Sequence, residues 1–209
     1  MKILGFMGSP RLKGLCAQFT AHALRGAASA GAETRQINLV KQRIMYCRGC
    51  YKCVHKNHHL PMGICPLRDD MPAILRAYLD ADGYIMASPV YDFTVPSVMK
   101  AFIERRFPLF YKERGARGIP DARVKQNFMK KAILLATGSA GEEFSEIAEP
   151  CFEVMSGHFM VEEIEVIARR YVGLIHDFDQ QRFAEIMDEM FGLGVRLVQE
   201  IEQVAQQSV

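Results

Sequence analysis

The sequence predicts an α/β fold in which helices cover both faces of a parallel β-sheet. Apolar segments with strand character alternate five times with amphipathic helical segments along the 209 residues, and this alternation is typical of parallel sheets. Three of the apolar segments run directly into glycine, serine or threonine, as expected where a buried strand ends in a turn. An apolar content of 49% and a charged content of 24% agree with a globular chain.

The individual elements follow from local patterns. Residues 2–7 are apolar and precede Gly-Ser-Pro, whereas the apolar residues of the last segment recur at helical spacing. Asp69 and Asp70 before Met71-Pro72 predict a helix start with an acidic cap and a proline in the first turn. We therefore expect strands at 2–7, 34–39, 83–87, 132–136 and 164–168, and helices at 15–30, from 71, around Val98 to Ile103, at 144–158 and at 180–205.

The domain organisation and the broad class also follow from composition. Because the chain has no internal repeat and no low-complexity linker, residues 1–209 are predicted to form a single domain. No apolar run is long enough for a transmembrane helix, and residues 1–10 lack the apolar core of a signal peptide. We therefore expect a cytoplasmic protein. A net charge of +2 and the absence of a nucleic-acid motif argue against a nucleic-acid partner.

Polar residues follow three of the predicted strands at the points where the strands end. Because ligands of wound parallel sheets bind at the carboxyl ends of the strands, we expect these three segments to meet at one edge. They are Gly8-Ser9-Pro10-Arg11, Ser88-Pro89-Val90-Tyr91 and Thr137-Gly138-Ser139.

The first of these segments predicts a phosphate site. It precedes a helix, whose first N–H groups and positive dipole end attract anions, and Ser9, Arg11 and Lys13 add a hydroxyl and two charges. It is not a Walker A loop, because Lys13 comes before Gly14 and Leu15 follows. It also lacks the Gly-x-Gly-x-x-Gly pattern of dinucleotide sites. The alternative is a glycine turn with two solvated cations.

Four of the six cysteines are clustered, at Cys47, Cys50, Cys53 and Cys65. The Cys-x2-Cys-x2-Cys spacing places three thiolates on a tight loop, as in ferredoxins, and Cys65 is a candidate fourth ligand of a 4Fe-4S cluster. Zinc is an alternative, because three histidines lie between the last two cysteines, and a reduced cluster without metal is another. Six cations and no acids lie between residues 41 and 68 and would favour thiolates, unless they only solvate an exposed loop. The histidines are His55, His58 and His59, and the cations are Lys41, Arg43, Arg48, Lys52, Lys56 and Arg68.

Together these motifs resemble the iron–sulfur flavoprotein family, within the NAD(P)H-dependent FMN reductase and flavodoxin-like group. The resemblance rests on Gly8-Ser9-Pro10-Arg11 with Gly14, on Ser88-Pro89-Val90-Tyr91 leading to residues 100–105, and on the cysteines before Asp69-Asp70-Met71. It spans about residues 1 to 140. It implies a flavodoxin-like fold with five parallel strands in the order 2-1-3-4-5, FMN at the strand ends, and a homodimer or homotetramer that passes electrons.

The resemblance also assigns site residues, none of them as a catalytic nucleophile. The FMN phosphate would be held by Ser9, Arg11, Lys13, Gly14, Leu15 and Cys16. The isoalloxazine edge would lie against Pro89, Val90, Tyr91, Asp92 and Phe93, with Thr137, Gly138 and Ser139 on its other side. The 4Fe-4S cluster would be held by Cys47, Cys50, Cys53 and Cys65. The family usually has Asn followed by Thr or Ser where this chain has Leu15-Cys16, so we expect backbone N–H groups to substitute and FMN retention to be weaker.

The implied function is that of an FMN-dependent electron-transfer oxidoreductase, with ferredoxin or NAD(P)H as electron donor. One alternative is an NAD(P)H-dependent FMN or quinone reductase without a cluster, and another is a flavodoxin-like electron carrier. Residues 104–131 contain nine cations and three acids and are expected to form a lip over the flavin site or a subunit contact. They would also suit an acidic electron carrier or the phosphate of NADPH. A solvated connector is the plain alternative.

Overall fold

The computed structural model describes residues 1–55, 60, 62–114, 120–122, 130–157, 164–173 and 179–207, and the structural statements below concern these residues. The strands are β1 (Lys2–Met7), β2 (Glu33–Asn38), β3 (Gly83–Pro89), β4 (Phe110–Arg114), β5 (Pro120–Ala122), β6 (Lys130–Gly138) and β7 (Ile164–Gly173). The helices are α1 (Leu15–Ser29), α2 (Lys52–His55), α3 (Met71–Asp80), α4 (Ser97–Glu104), α5 (Glu149–Ser156) and α6 (Gln180–Gln207). Short 3-10 helices occupy Leu39–Lys41, Phe107–Leu109 and Glu142–Ala148.

Five strands form one parallel sheet in the order β2-β1-β3-β6-β7. Numbered by themselves, these strands have the order 2-1-3-4-5, so the flavodoxin-like prediction is confirmed. The remaining two strands, β4 and β5, form a separate antiparallel pair. They lie inside the basic stretch at 104–131, of which residues 115–119 and 123–129 fall outside the described part of the chain.

The sheet separates two apolar cores, because successive side chains of a strand point to opposite faces. In β1, Leu4 and Phe6 join the core beneath α3, α4 and α5. Ile3 and Met7 join the core beneath α1 and α6. The helix predicted at 144–158 is divided into the 3-10 helix at Glu142–Ala148 and α5, with Phe144 in a non-helical conformation between turns.

Helices α1 and α6 cross at a distance that only glycine allows. A Cβ atom at Gly194 would lie 1.8 Å from the carbonyl oxygen of Ala23, and one at Gly26 would lie 2.0 Å from that of Phe191. Both obstacles are backbone atoms, so no side-chain rotation relieves the clash. Although α6 has 28 residues, no described helix is long and apolar enough to cross a bilayer.

We expect Gly194→Ala to lower the free energy of unfolding by about 2 to 3 kcal/mol, because the added methyl group must push the two helices apart. Gly192→Ala is the matched control, since a Cβ atom there meets nothing within 4 Å. This control should stabilise α6 by about 0.5 to 1 kcal/mol through helix propensity alone. Urea unfolding of both variants measures the difference, and equal effects would contradict the close crossing.

Candidate functional site

The carboxyl ends of β1, β3 and β6 lie side by side, as the sequence predicts. The Gly8 N–H donates to the carbonyl oxygen of Ala87 at 2.8 Å, and the Val90 N–H donates to the carbonyl oxygen of Thr137 at 2.7 Å. These two bonds bring the three predicted segments together into one surface, which we call the strand-end rim (residues 8–16, 89–94 and 137–139).

The loop from β1 to α1 presents unused backbone donors at this rim. Gly14 is the N-cap of α1 and makes no side-chain cap, and the first-turn N–H groups of Leu15 and Cys16 have no partner within the helix. Ser9 is buried, and its Oγ accepts the Arg11 N–H at 3.1 Å, which leaves the hydroxyl proton to donate. With Arg11 exposed beside the positive end of the helix dipole, the loop has the chemistry of a phosphate site.

Cys16 links two of the three segments of the rim. Its Sγ lies 3.1 Å from Oγ1 of Thr137, within hydrogen-bond distance. Burial is the largest influence on this thiol and raises the pKa of Cys16 to about 11, although the Thr137 hydroxyl and Arg11 act in the opposite direction. Cys16 is therefore a neutral thiol at pH 7. The contact ties the Thr137 side chain to the start of α1, and the hydroxyl keeps further hydrogen-bonding capacity beyond this contact.

In the turn after β3, two residues that are not glycine have a left-handed backbone conformation. Tyr91 and Thr94 exchange hydrogen bonds between their backbone N–H and carbonyl groups at 2.8 and 3.0 Å. The residues between them, Asp92 and Phe93, have φ angles of 49° and 58°, a conformation that costs about 1 kcal/mol for each non-glycine residue. Phe93 is 68% exposed and Tyr91 is 39% exposed. Strain and exposed rings at a strand end are typical of a ligand site.

Gly138 and Ser139 lie on the far side of the rim. A Cβ atom at Gly138 would come within 2.6 Å of the Tyr171 hydroxyl, and this hydroxyl donates to the carbonyl oxygen of Ala140 at 2.8 Å. Ser139 is exposed. The loop is thus shaped by Tyr171 from β7, a residue that the sequence analysis does not single out.

The four clustered cysteines line a single cavity of about 300 Å³, which we call the thiol cavity. Its wall also includes Arg48, Gly49, Tyr51, Pro66, Leu67, Glu104, Arg105 and Phe107. Within the described ranges, no three Cys, His, Asp or Glu side chains converge on one ion position. A single zinc ion needs four ligands at about 2.0 to 2.3 Å from one point, whereas a 4Fe-4S cluster binds four thiolates on four different irons. Four thiols around one cavity match the ligand set of a 4Fe-4S cluster better than that of a single zinc ion.

Two segments that are distant in sequence form this cavity, and hydrogen bonds explain how they meet. The Arg43 N–H donates to Oδ2 of Asp70 at 2.7 Å, and the Asp70 N–H donates to the carbonyl oxygen of Arg43 at 3.0 Å. The Met45 N–H donates to Oδ2 of Asp69 at 2.9 Å, and Arg43 Nη2 to the carbonyl oxygen of Arg68 at 3.0 Å. Residues 43–45 are therefore fastened to 68–70, just outside Cys47 and Cys65.

Two residues of the first cysteine segment have a left-handed backbone conformation. Gly49 and Tyr51 have φ angles of 60° and 53°, and the single turn of α2 follows. The Tyr51 ring meets that of Phe107 edge-on, with 5.7 Å between the ring centres. Cys53 is buried while Cys50 is exposed, so the three thiols of this segment lie at different depths.

Arg105 and Asp69 form a buried ion pair at the floor of the cavity. The Arg105 side chain is 2% exposed and that of Asp69 is 0% exposed, with 2.5 Å between Nη1 and Oδ2. Nη1 also donates to the carbonyl oxygen of Met45 at 2.7 Å, and Nη2 donates to Oδ1 of Asp69 at 3.1 Å and to Sγ of Cys65 at 3.6 Å. Since Oδ1 of Asp69 also accepts the Met71 N–H at 3.2 Å, this carboxylate joins both cysteine segments to α3 and α4.

The charges of this network act on the pKa values of its members. Burial is the largest influence on Asp69 and opposes its ionisation, but the hydrogen bonds from Arg105 and from the Met45 N–H outweigh it and lower the pKa of this carboxyl. Burial is the largest influence on Cys53 and, together with the neighbouring thiols of Cys65, Cys47 and Cys50, raises the pKa of Cys53 to about 11. A bound metal cation would favour its thiolate form.

The structure shows where the cations of the two basic segments lie. Of the six cations between residues 41 and 68, Lys41, Arg43, Arg48, Lys52 and Arg68 are exposed, as the alternative of a solvated loop expects, and Lys56 lies outside the described residues. Arg105 and Arg106 belong to the basic stretch at 104–131, and both are buried rather than part of an exposed lip. Among the described residues, the buried cation that lines the thiol cavity is Arg105, which directly follows α4. Because it comes three residues after Phe102, it lies on the same side of the helix as Phe102.

Three further expectations concern the acidic pair and the remaining cysteines and histidines. Asp70 occupies the N-cap position of α3 without a side-chain cap, and Asp69 accepts the first helical N–H in its place. Cys151, which lies outside the cysteine cluster, is fully buried in the core. His58 and His59 lie outside the described residues, so a zinc site that includes them stays a hypothesis.

Comparison with known proteins identifies the family of the chain. The family model described as NADPH-dependent FMN reductase matches residues 1–168, which include the whole strand-end rim and all four clustered cysteines. The chain belongs to this FMN reductase family. The match ends inside β7, so the part of the fold that carries both candidate sites is the part that the family shares.

Curated relatives narrow the resemblance within the FMN reductase family. An iron–sulfur flavoprotein of Archaeoglobus fulgidus is 37% identical over 108 residues, covering 52% of this chain and 46% of the relative. One of Methanocaldococcus jannaschii is 37% identical over 109 residues, covering 52% and 53%. The predicted resemblance to iron–sulfur flavoproteins is confirmed. The chain spans about half the length of the curated relatives that it matches.

Solved structures support the fold of the family. An NAD(P)H:quinone oxidoreductase from Methanothermobacter marburgensis superposes with a TM-score of 0.69. The superposition covers 94% of this chain and 98% of that chain at 16% identity. At this identity the likeness concerns the flavodoxin-like architecture alone.

Proposed function

We propose that this member of the FMN reductase family is an electron-transfer oxidoreductase that holds FMN at the strand-end rim and a 4Fe-4S cluster in the thiol cavity. When bound, FMN exchanges electrons in pairs or singly and the cluster exchanges them one at a time, so that one protein converts between the two modes. The chain itself supplies binding groups, charge and exclusion of water, and it needs no nucleophile.

The observation that carries this proposal is the shared cavity of Cys47, Cys50, Cys53 and Cys65. The first three cysteines are close in sequence and their proximity is expected. Cys65 is separated from Cys53 by eleven residues, and the bonds between residues 43–45 and 68–70, together with the Arg105 contacts to Met45 and Cys65, hold it at the same wall. Four thiols complete the ligand set of an all-cysteine cluster.

At the strand-end rim, backbone and side-chain donors have separable roles. The first-turn N–H groups of Leu15 and Cys16 and the Arg11 guanidinium would hold the phosphate of FMN. The backbone of 89–94 would line the ring system, with Tyr91 and Phe93 excluding water. Helix α4 connects the rim segment 89–94 to Arg105 at the thiol cavity. It has eight residues and is about 12 Å long, so the segment that joins the two sites is short.

The proposal extends to partners and assembly. The electron donor is NAD(P)H or a reduced ferredoxin, and the exposed cations Arg48 and Lys52 next to the thiol cavity would attract an acidic carrier. The proposed oligomeric state is a homodimer or homotetramer, and the proposed location is the cytoplasm.

Anaerobic purification followed by absorption spectroscopy and metal analysis tests the function. We expect flavin bands on a broad iron–sulfur absorption that bleaches on reduction, with iron and sulfide near four per chain. If metal analysis finds zinc without iron, or neither metal, the cluster is contradicted. The alternative is then an NAD(P)H-dependent FMN or quinone reductase without a cluster. Oxidation of NADPH with added FMN or quinone would then separate such a reductase from a simple carrier.

The phosphate role of Arg11 has its own test. We expect Arg11→Ala to weaken FMN binding about tenfold, because a charge-assisted hydrogen bond is worth about 1.5 kcal/mol. Binding of riboflavin, which lacks the phosphate, should not change. Arg25→Ala is the matched control, since Arg25 is an exposed arginine further along α1. Flavin fluorescence titration of wild type and both variants with each flavin measures the six affinities, and an equal loss for both flavins in Arg11→Ala would contradict the assignment.

A further inference from the structure

Arg105 is placed where it acts on the sulfur of Cys65 as well as on its own counterion. Its Nη2 atom donates to both Oδ1 of Asp69, at 3.1 Å, and Sγ of Cys65, at 3.6 Å. The side chain lines the thiol cavity and also a second cavity of about 160 Å³ beside Met71 and Leu75. Within the described part of the chain, its Nε atom has no hydrogen-bond partner although it is buried. Burying a guanidinium is costly unless it is paired and hydrogen-bonded, and here Asp69, the Met45 carbonyl group and the Cys65 sulfur supply the partners.

Of the described charged side chains that line the thiol cavity, Arg105 is the one that is buried. Glu104 also lines the cavity, but it is partly exposed and pairs with Lys100 at 3.6 Å on the surface of α4. Arg48 lines the cavity too and is exposed to solvent, where salt screens its charge. Among the described residues that line the cavity, Arg105 is thus the buried cation, and Asp69 balances it.

We propose that Arg105 is a positioning residue that sets the reduction potential of the group held by the thiol cavity, through its N–H bond to Cys65 and the charge that it shares with Asp69. This inference rests on the proposed function. Hydrogen bonds to ligand sulfurs and net charge are two of the terms that determine iron–sulfur potentials. The reaction served is a one-electron reduction, with the electron supplied by the redox donor, and Arg105 neither forms a bond nor exchanges a proton.

Two substitutions move the potential in opposite directions if this is correct. In Arg105→Lys the positive charge and a contact with Asp69 remain, but a single ammonium group cannot span to Cys65, so the potential should become more negative. In Asp69→Asn the carboxylate that competes for Nη2 is lost, so the positive charge acts on the sulfur without compensation and the potential should become more positive.

The experiment is a redox titration of anaerobically purified wild-type protein and variants, followed by electron paramagnetic resonance for the cluster and by absorption for the flavin. The flavin potential is the internal reference and should not change. Arg106→Lys is the matched control, since Arg106 is the neighbouring buried arginine, lines neither cavity, and has its Nη1 atom 3.5 Å from the Tyr78 hydroxyl.

Opposite shifts in the two variants, with Arg106→Lys at the wild-type value, would support the inference. Unchanged potentials in both variants would overturn it, and so would loss of iron from folded Arg105→Lys protein, because that outcome assigns a purely structural role. If Asp69→Asn does not fold, the direction of the shift in Arg105→Lys decides. Wild-type protein without iron would instead overturn the proposed function, and the inference with it.

Discussion

Cys65→Ala is expected to abolish iron retention while leaving FMN bound. Cys65 is the single ligand candidate contributed by the second segment of the thiol cavity, and an all-cysteine cluster with three thiolates lacks one quarter of its protein ligands. Alanine is chosen because a serine oxygen at this position still offers a ligand atom. We expect iron and sulfide to fall from about four per chain to near zero, measured by metal analysis of anaerobic protein.

The control for this substitution is Cys151→Ala. Cys151 is fully buried in the core on the inner side of α5 and does not line the thiol cavity, so its position keeps it from binding a metal there. Its replacement should cost about 1 kcal/mol of stability through lost packing and no iron. Iron that persists in Cys65→Ala at the level of the control would contradict the four-cysteine site.

Asp69→Asn is expected to lower the free energy of unfolding by about 3 kcal/mol at neutral pH, because it leaves the buried Arg105 without its counterion. The pKa of Asp69 is lowered in the folded protein. The ion pair therefore stabilises the fold above the ordinary pKa of about 3.9, and this stability is lost as the pH falls through the lower folded value.

The difference between wild-type protein and Asp69→Asn should accordingly shrink toward acid pH. Urea unfolding at pH 7 and at successively lower pH values measures it. Asp80→Asn is a suitable control, since Asp80 is an exposed carboxylate at the end of α3 and its loss should change stability by less than about 0.5 kcal/mol. A constant difference between Asp69→Asn and wild type at every pH would contradict the assignment.

The sequence predicts the sheet well because its signals are local. The run at 2–7, the segment leading to Pro89 and the run around Ile133 are apolar and end in turn residues, and these properties identify buried parallel strands without reference to the rest of the chain. The close crossing of α1 and α6 is different. Gly26 and Gly194 read as ordinary glycines in helices, and their role becomes clear only when the two helices are placed together.

The thiol cavity is predicted in part for the same reason. Spacing alone identifies Cys47, Cys50 and Cys53, but the placement of Cys65 depends on hydrogen bonds between distant segments. Arg105 is misassigned because it lies in a basic stretch. The helical spacing of the sequence could have indicated its burial. Arg105 follows Ala101 by four residues and Phe102 by three, and both Ala101 and Phe102 are buried. Helical periodicity therefore places Arg105 on the inner face of α4.

The anchoring of the two cysteine segments has a consequence for the maturation of the protein. Asp69, Asp70 and Arg43 join the segments with bonds that the polypeptide makes by itself, so the ordering of this region does not wait for a metal. Small zinc domains behave in the opposite way and gain their fold from the ion. For the proposed cluster, we therefore expect newly made chains to fold first and to receive iron and sulfide afterwards, so that iron supply would control the fraction of chains that carry the cluster rather than the abundance of the protein.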